Sequence, residues 1–243
     1  MGLLELGGQQ GQVAERVGPN PQQPSRRAAV GARRTSYASS AMHHADAWAD
    51  EPALRGRLER YLELLYEEAS RRNLTRVRRE EAWKRHIEES LSLLPLHSWA
   101  AGEVVLDFGS GGGLPGIPLA IALPQVRVVL LERNLAKARF LERCLMELSL
   151  DGAEVVGRNA EELAREKPHP RADILVSRAA APPLRLIPQV APFLKPRGAA
   201  LLLVGGSVGV SADLRLLCQR HHLADPEIVE AGQTRVLRVR NSR

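Results

Sequence analysis

Val104-Val105-Leu106-Asp107-Phe108-Gly109-Ser110-Gly111-Gly112-Gly113 decides the fold. An apolar run of strand length ends in an aspartate and passes into a glycine-rich turn. Leu114-Pro115-Gly116-Ile117-Pro118 then leads into a helical stretch. Glycine accepts positive φ and lets a ligand come close to the backbone. In an open α/β sheet this first turn lies at the carboxyl ends of the strands, where ligands bind.

Outward from that turn, strand patterns fall at 103–108, 126–132, 153–157, 172–177, 199–204, 226–230 and 235–240. Helical patterns fall between them at 117–123, 134–149, 160–166, 182–193 and 211–222. Alternation of this kind builds βαβ units: an α/β, Rossmann-like fold, with a mostly parallel seven-stranded sheet and helices on both faces. The last two strands flank Ala231-Gly232-Gln233 and read as an antiparallel ending. Upstream, Leu54, Leu58, Tyr61, Leu62, Leu65 and Tyr66 predict a helix over 52–72. Trp83, Ile87, Leu91 and Leu94 predict a second over 80–94. The expected division is a disordered leader over 1–50 and one domain over 51–243, with a helical part (51–98) before the cofactor-binding sheet (99–243).

The leader is rich in Gly, Gln and Pro. It carries Arg26, Arg27, Arg33 and Arg34 and has no acid between Val17 and Ala45. It fits an organelle transit peptide, a basic arm on nucleic acid, or an inert extension upstream of Met42; the inert extension is the preferred expectation.

The 243 residues carry a net charge of +6, from 34 basic and 28 acidic side chains, and 44% are apolar. That apolar share suits a globular core. No apolar run reaches the roughly 18 residues of a membrane span, so no membrane role is expected. Cys144 and Cys218 alone make no disulfide framework, which fits a reducing, cytoplasmic setting. His43-His44 and His221-His222 lack metal-ligand spacing, so no metal is expected. The basic excess points to a polyanionic partner.

The ligand of the glycine turn is open between two nucleoside cofactors. A dinucleotide pattern fits Gly111, Gly113 and Gly116, with Glu132 16 residues further on. Asp107, two residues before the first glycine, would repel a pyrophosphate but suits a cationic ligand. S-adenosylmethionine carries an ammonium and a sulfonium and no phosphate, and Asp107 with the loop backbone at Ser110, Gly111 and Gly113 would hold its methionine end. Glu132 closes the second strand, where its carboxylate would take two ribose hydroxyls.

The loop continuing as Leu114-Pro115-Gly116-Ile117-Pro118 resembles the RsmG/GidB family of 16S ribosomal RNA guanine-N7 methyltransferases. The resemblance runs from about Tyr61 to Val239. It is carried also by Asn73-Leu74-Thr75, Arg85-His86-Ile87 with Ser90-Leu91, Arg139-Phe140-Leu141 and Ser177-Arg178-Ala179. It implies a class I methyltransferase fold, S-adenosylmethionine as cofactor, and a target guanine in the 530 loop of 16S rRNA. It also implies cofactor contacts at Gly109, Leu114, Ala160, Glu161 and Arg178. Glu89 stands where the family has aspartate. Val204 stands near a lysine of the family, and Thr234 near an arginine, with Arg235 one position later.

N7 of guanine already carries a lone pair, so no general base and no catalytic side chain is expected, only positioning. Arg71, Arg72, Arg76, Arg78, Arg79, Arg85 and His86, with Lys137 and Arg139 opposite, are the expected RNA-facing cations. The expected partner is 16S rRNA or the small ribosomal subunit, met by a monomer. A catalytically silent RNA-binding assembly factor of the same fold is the rival reading, and an NAD-binding oxidoreductase a weaker one.

Overall fold

The computed structural model describes residues 51–178 and 180–243. The leader, with His43-His44, and Ala179 lie outside the described residues. The first helix, α1 (Pro52–Arg72), starts on Pro52, whose missing N–H costs nothing in the first turn. It ends at Asn73, in left-handed geometry at φ 50°. Leu58, Tyr61, Leu64 and Leu65 form its buried face.

The second expected helix is not one regular element. Residues 79–91 run as a 3-10 turn (Arg79–Glu81), a π-helix (Trp83–Glu88) and a short α2 (Glu89–Leu91). A π turn is wider than an α turn and is used in short pieces. Within this one the adjacent residues His86 and Ile87 are both fully buried.

The sheet has seven strands: β1 (Val104–Phe108), β2 (Arg127–Leu131), β3 (Ala153–Val156), β4 (Ala172–Arg178), β5 (Leu194–Val204), β6 (Glu227–Ala231) and β7 (Thr234–Arg240). Their spatial order is β3-β2-β1-β4-β5-β7-β6. The first five are parallel, and β7 pairs antiparallel with both β5 and β6. Strand order reverses between β1 and β4, which makes the end of β1 the topological switch point.

The helices between strands are α3 (Gly116–Ala122), α4 (Leu135–Glu147), α5 (Ala160–Leu163), α6 (Pro183–Val190) and α7 (Ala212–Arg220). Alternate strand residues feed two cores. Val105, Val128, Leu130, Ile174, Val176 and Leu201 face α1, α3 and α4. Leu106, Val129, Leu175, Leu202 and Leu237 face Ile187, Val190, Leu214 and Cys218 of α6 and α7. Both faces are therefore covered, as a parallel sheet requires.

β5 begins five residues earlier than expected. Leu194 pairs with Ala172, and the register then shifts so that Ile174 meets Ala199. The bulge absorbs Pro196 and Gly198, which hide the strand pattern in the sequence. A surface ion-pair network fastens α1 to α4: Arg60 with Glu147 at 2.6 Å, and Arg143 with Glu67 at 2.9 Å and Glu68 at 3.3 Å.

Candidate cofactor site at the switch point

The glycine loop leaves β1 and stays tied to the sheet. Gly109 and Ser110 donate to the Leu131 carbonyl at 2.9 and 3.1 Å. Gly109, Gly111 and Gly113 take φ of 73°, 57° and 95°. At Gly111 an added Cβ would meet the Gly109 carbonyl at an ordinary contact distance of 3.8 Å, so nothing crowds that side of the backbone. Gly112 is pressed from below: an added Cβ would lie 2.9 Å from Leu65 and 3.1 Å from the Leu74 carbonyl. The buried Tyr61 hydroxyl donates to the Gly112 carbonyl at 2.7 Å.

Only part of the expected loop contact set reaches the surface. Gly109 is exposed and Gly111 half-buried. Asp107, Ser110, Gly113 and Leu114 are buried, which differs from a ligand-facing set. Ser110 donates its hydroxyl to the Asp107 carbonyl at 3.0 Å. Leu114 packs its side chain in the core and donates its N–H back to Ser110. Asp107 has no exposed surface; its Oδ2 accepts from Gly116 N at 3.1 Å, and Oδ1 has no partner among the described residues. Burial pushes its carboxyl up to about 7, partly opposed by the Gly116 hydrogen bond, the nearby Ser110 hydroxyl and Arg178. Asp107 thus braces the loop from beneath.

Glu132 is 7% exposed and is fixed by two backbone donors, Gly111 N at 2.9 Å and Asn134 N at 2.7 Å. A carboxylate has about four lone-pair positions, so two acceptor positions are left for hydroxyls. Asn134 also caps α4, accepting from Ala136 and Lys137. Beyond β3, Asn159 caps α5 in the same way by accepting from Glu161 and Glu162, with Ala160 half-buried and Glu161 exposed.

Arg178 ends β4 beside the loop. Its Nη1 donates to the Arg85 carbonyl at 2.7 Å, and Nη1 and Nη2 both lie 3.2 Å from Nδ1 of His86. The ring's Nε2 is 2.9 Å from Thr75 Oγ1. Glu89 is 3.7 Å from Arg178 and bonds Arg85 at 2.9 Å. Burial lowers the His86 pKa to about 4, and Arg178 adds to the shift.

His86 is therefore a correction to the expected RNA face: it is fully buried, because the π turn carries it inward. Arg71, Arg76, Arg78, Arg79, Arg85 and Arg139 are exposed; Arg72 and Lys137 are half-buried. Arg72 is held by Glu68 at 2.5 Å and the Ala136 carbonyl, Arg78 lies 3.5 Å from Glu81, and Arg79 sits over the Tyr66 ring. Among the described residues no carboxylate pairs with Arg71, Arg76, Lys137 or Arg139. Arg235 is not a free cation. It pairs with Glu230 and clamps the carbonyls of Gly206 and Val208 after β5.

Tyr61, Leu74 and Thr75 were not singled out as site residues. Tyr61 gives one signal, a hydroxyl in the middle of the leucine-rich face of its helix. Among the described residues no cluster of His, Cys, Asp or Glu could hold a metal, and no helix is long and apolar enough to cross a membrane.

The family model GidB, described as rRNA small subunit methyltransferase G, matches residues 55–216. A protein of Sorangium cellulosum named ribosomal RNA small subunit methyltransferase G is 41% identical over 126 residues, covering 51% of this chain and 53% of that one. One of the same name from Mycolicibacterium gilvum is 39% identical over 155 residues, 63% of this chain and 66% of that one. The chain spans about half the length of several curated relatives it matches. Among solved structures, a mutant of MtNAS in complex with S-adenosylmethionine aligns at TM-score 0.53 and 16% identity, over 85% of this chain and 87% of that one. That likeness speaks for the fold. With the family model covering more than half of its 243 residues, the chain belongs to the rRNA small subunit methyltransferase G family.

Proposed function

We propose that the chain is an S-adenosylmethionine-dependent methyltransferase acting on N7 of a guanine in the 530 loop of 16S rRNA, in the cytoplasm. The observation that carries this is the switch-point loop. Gly109 and Gly111 open upward between the anchored Glu132 and the guanidinium of Arg178. The uncrowded backbone at Gly111 and the two acceptor positions left on Glu132 fit a nucleoside whose ribose lies on β2. Ala160 and Glu161, at the capped start of α5, would border its base. When bound, the cofactor supplies an electrophilic methyl group.

The chain's own residues orient and shield. Glu132 fixes the ribose, Gly109 and Gly111 let the ligand lie on the backbone, and Arg178 offers a cation. Asp107, with its pKa near 7 and its position beneath the loop, places less than a full negative charge near the reacting centre. Guanine N7 needs no deprotonation, so alignment and exclusion of water supply the rate. The exposed cations at Arg71, Arg76, Arg78, Arg79, Arg85 and Arg139, with Lys137, supply phosphate contacts that set the substrate's register. Their position on the segment that follows α1 and on α4, both of which pack near the glycine loop, supports docking of RNA beside the cofactor.

The test is methyl transfer from labelled S-adenosylmethionine to small subunits lacking the modification, followed by mass mapping of the nucleotide. One methyl on a 530-loop guanine is expected, and Gly109→Asp should abolish it. RNA binding without transfer would favour the silent assembly factor. Tight NAD binding would overturn the cofactor.

A further inference from the structure

The guanidinium of Arg178 is held by a histidine rather than by a close carboxylate. Both Nη atoms approach the same ring nitrogen, Nδ1 of His86, at 3.2 Å. A guanidinium only donates, so Nδ1 must be the acceptor. The proton of the neutral ring then sits on Nε2, where Thr75 Oγ1 accepts it at 2.9 Å. Thr75 is fixed in turn by the Val77 N–H at 3.1 Å.

The bond count on Arg178 follows. Of five N–H groups, two on Nη1 go to the Arg85 carbonyl and His86, and one on Nη2 goes to His86. The Nε–H and the second Nη2–H have no partner among the described residues. These two share one edge of the guanidinium and form the side-on fork that takes a carboxylate bidentately. Glu89, the nearest acid at 3.7 Å, already pairs with Arg85 and stays outside hydrogen-bond distance.

We propose that His86 is a positioning residue: in its neutral Nε2–H tautomer it aims the side-on fork of Arg178, which no carboxylate hydrogen-bonds among the described residues, at the carboxylate of the cofactor's amino-acid end. A carboxylate in place of His86 would satisfy the same N–H groups but spend the positive charge. A neutral ring acceptor fixes the geometry and leaves the charge for the ligand. Thr75 acts one step further out by holding the tautomer.

The inference rests on the proposed cofactor, and the test separates the two. Calorimetry is run with S-adenosylhomocysteine and with 5′-methylthioadenosine, which shares the nucleoside but lacks the amino-acid end. Wild type should bind both. His86→Leu should lose roughly tenfold to a hundredfold in affinity for S-adenosylhomocysteine, the range of a charge-assisted hydrogen bond, and little for methylthioadenosine. Arg178→Ala should give the same pattern, and the double variant should be no worse than either. His86→Asn, which keeps an acceptor near the Nδ1 position, should restore most of the difference. Equal losses for both ligands would make His86 a packing residue and overturn the proposal. Failure of the wild type to bind either ligand would instead overturn the cofactor assignment. If His86→Leu does not fold, nitrogen NMR of the wild-type imidazole decides: protonated Nε2 with bare Nδ1 is expected, and a protonated Nδ1 refutes it.

Discussion

Two buried groups of this site oppose each other in proton linkage. His86 is held neutral, with its pKa brought down to about 4 by burial and by Arg178. Asp107 is pushed up to about 7 by burial. Unfolding returns them to ordinary values near 6.5 and 3.8. Between about pH 4.5 and 6, the folded chain carries a proton on Asp107 and none on His86, and the unfolded chain the reverse. Stability changes with pH in proportion to protons bound by the unfolded state minus those bound by the folded state. His86 therefore makes stability rise with pH in that window, by up to ~1.4 kcal/mol per unit. Asp107 makes it fall by a similar slope, and the two nearly cancel in the wild type. His86→Asn should expose the Asp107 slope: across this window the variant should lose roughly 1.5–2 kcal/mol relative to wild type as pH rises. Asp107→Asn should gain a similar amount. Urea unfolding at a series of pH values reads both. Variants whose stability tracks the wild type in parallel, or that shift in the same direction, would refute the opposed protonation states.

Gly112→Ala drives a Cβ to 2.9 Å from Leu65 and 3.1 Å from the Leu74 carbonyl. Overpacking of this kind costs about 1–3 kcal/mol, and the variant should melt earlier and bind S-adenosylhomocysteine more weakly in thermal-shift and calorimetric assays. Arg76→Ala with Arg139→Ala removes two cations with no carboxylate partner among the described residues; if both meet phosphates of single-stranded RNA, the log–log salt slope should flatten by about 1.4. Arg235→Ala should leave that slope unchanged, because its side chain is committed to Glu230 and to the carbonyls of Gly206 and Val208. Faster proteolysis of residues 205–208 is the expected effect instead.

The parallel sheet and its switch point were legible because apolar strand runs alternate with helical spacing, and because the glycine turn follows a strand. The helix ends were less so: Asn134, Asn159 and Ser211 cap three of them, yet α5 stops at Leu163 and α7 at Arg220, short of the expected ends. The start of β5 was hidden, since Lys195-Pro196-Arg197-Gly198 breaks the alternation and only pairing with β4 makes it a strand. Glu132 at the end of β2 and the glycines after β1 stand at the strand ends where the sequence pattern puts them. Asp107 was recognised as special, but its direction was not: whether a strand-end carboxylate points up to a ligand or down under the loop depends on Gly116, nine residues away. His86 was misplaced for a related reason. It stands beside Arg85, near a run of arginines, and only a π turn, which leaves no mark in hydrophobic periodicity, carries it inward.

The contact of Leu65 and Leu74 with Gly112 makes the loop a poor module for transplantation. Here the underside of the turn is moulded by a helix and a loop that lie outside the βαβ unit, and Tyr61 holds it by a hydrogen bond from the same helix. A chimera that keeps β1, the loop and α3 but takes another upstream helix would carry the right residues over the wrong support. The chain upstream of β1 is thus part of the glycine loop's architecture, and the two have to be exchanged, or shortened, as one piece.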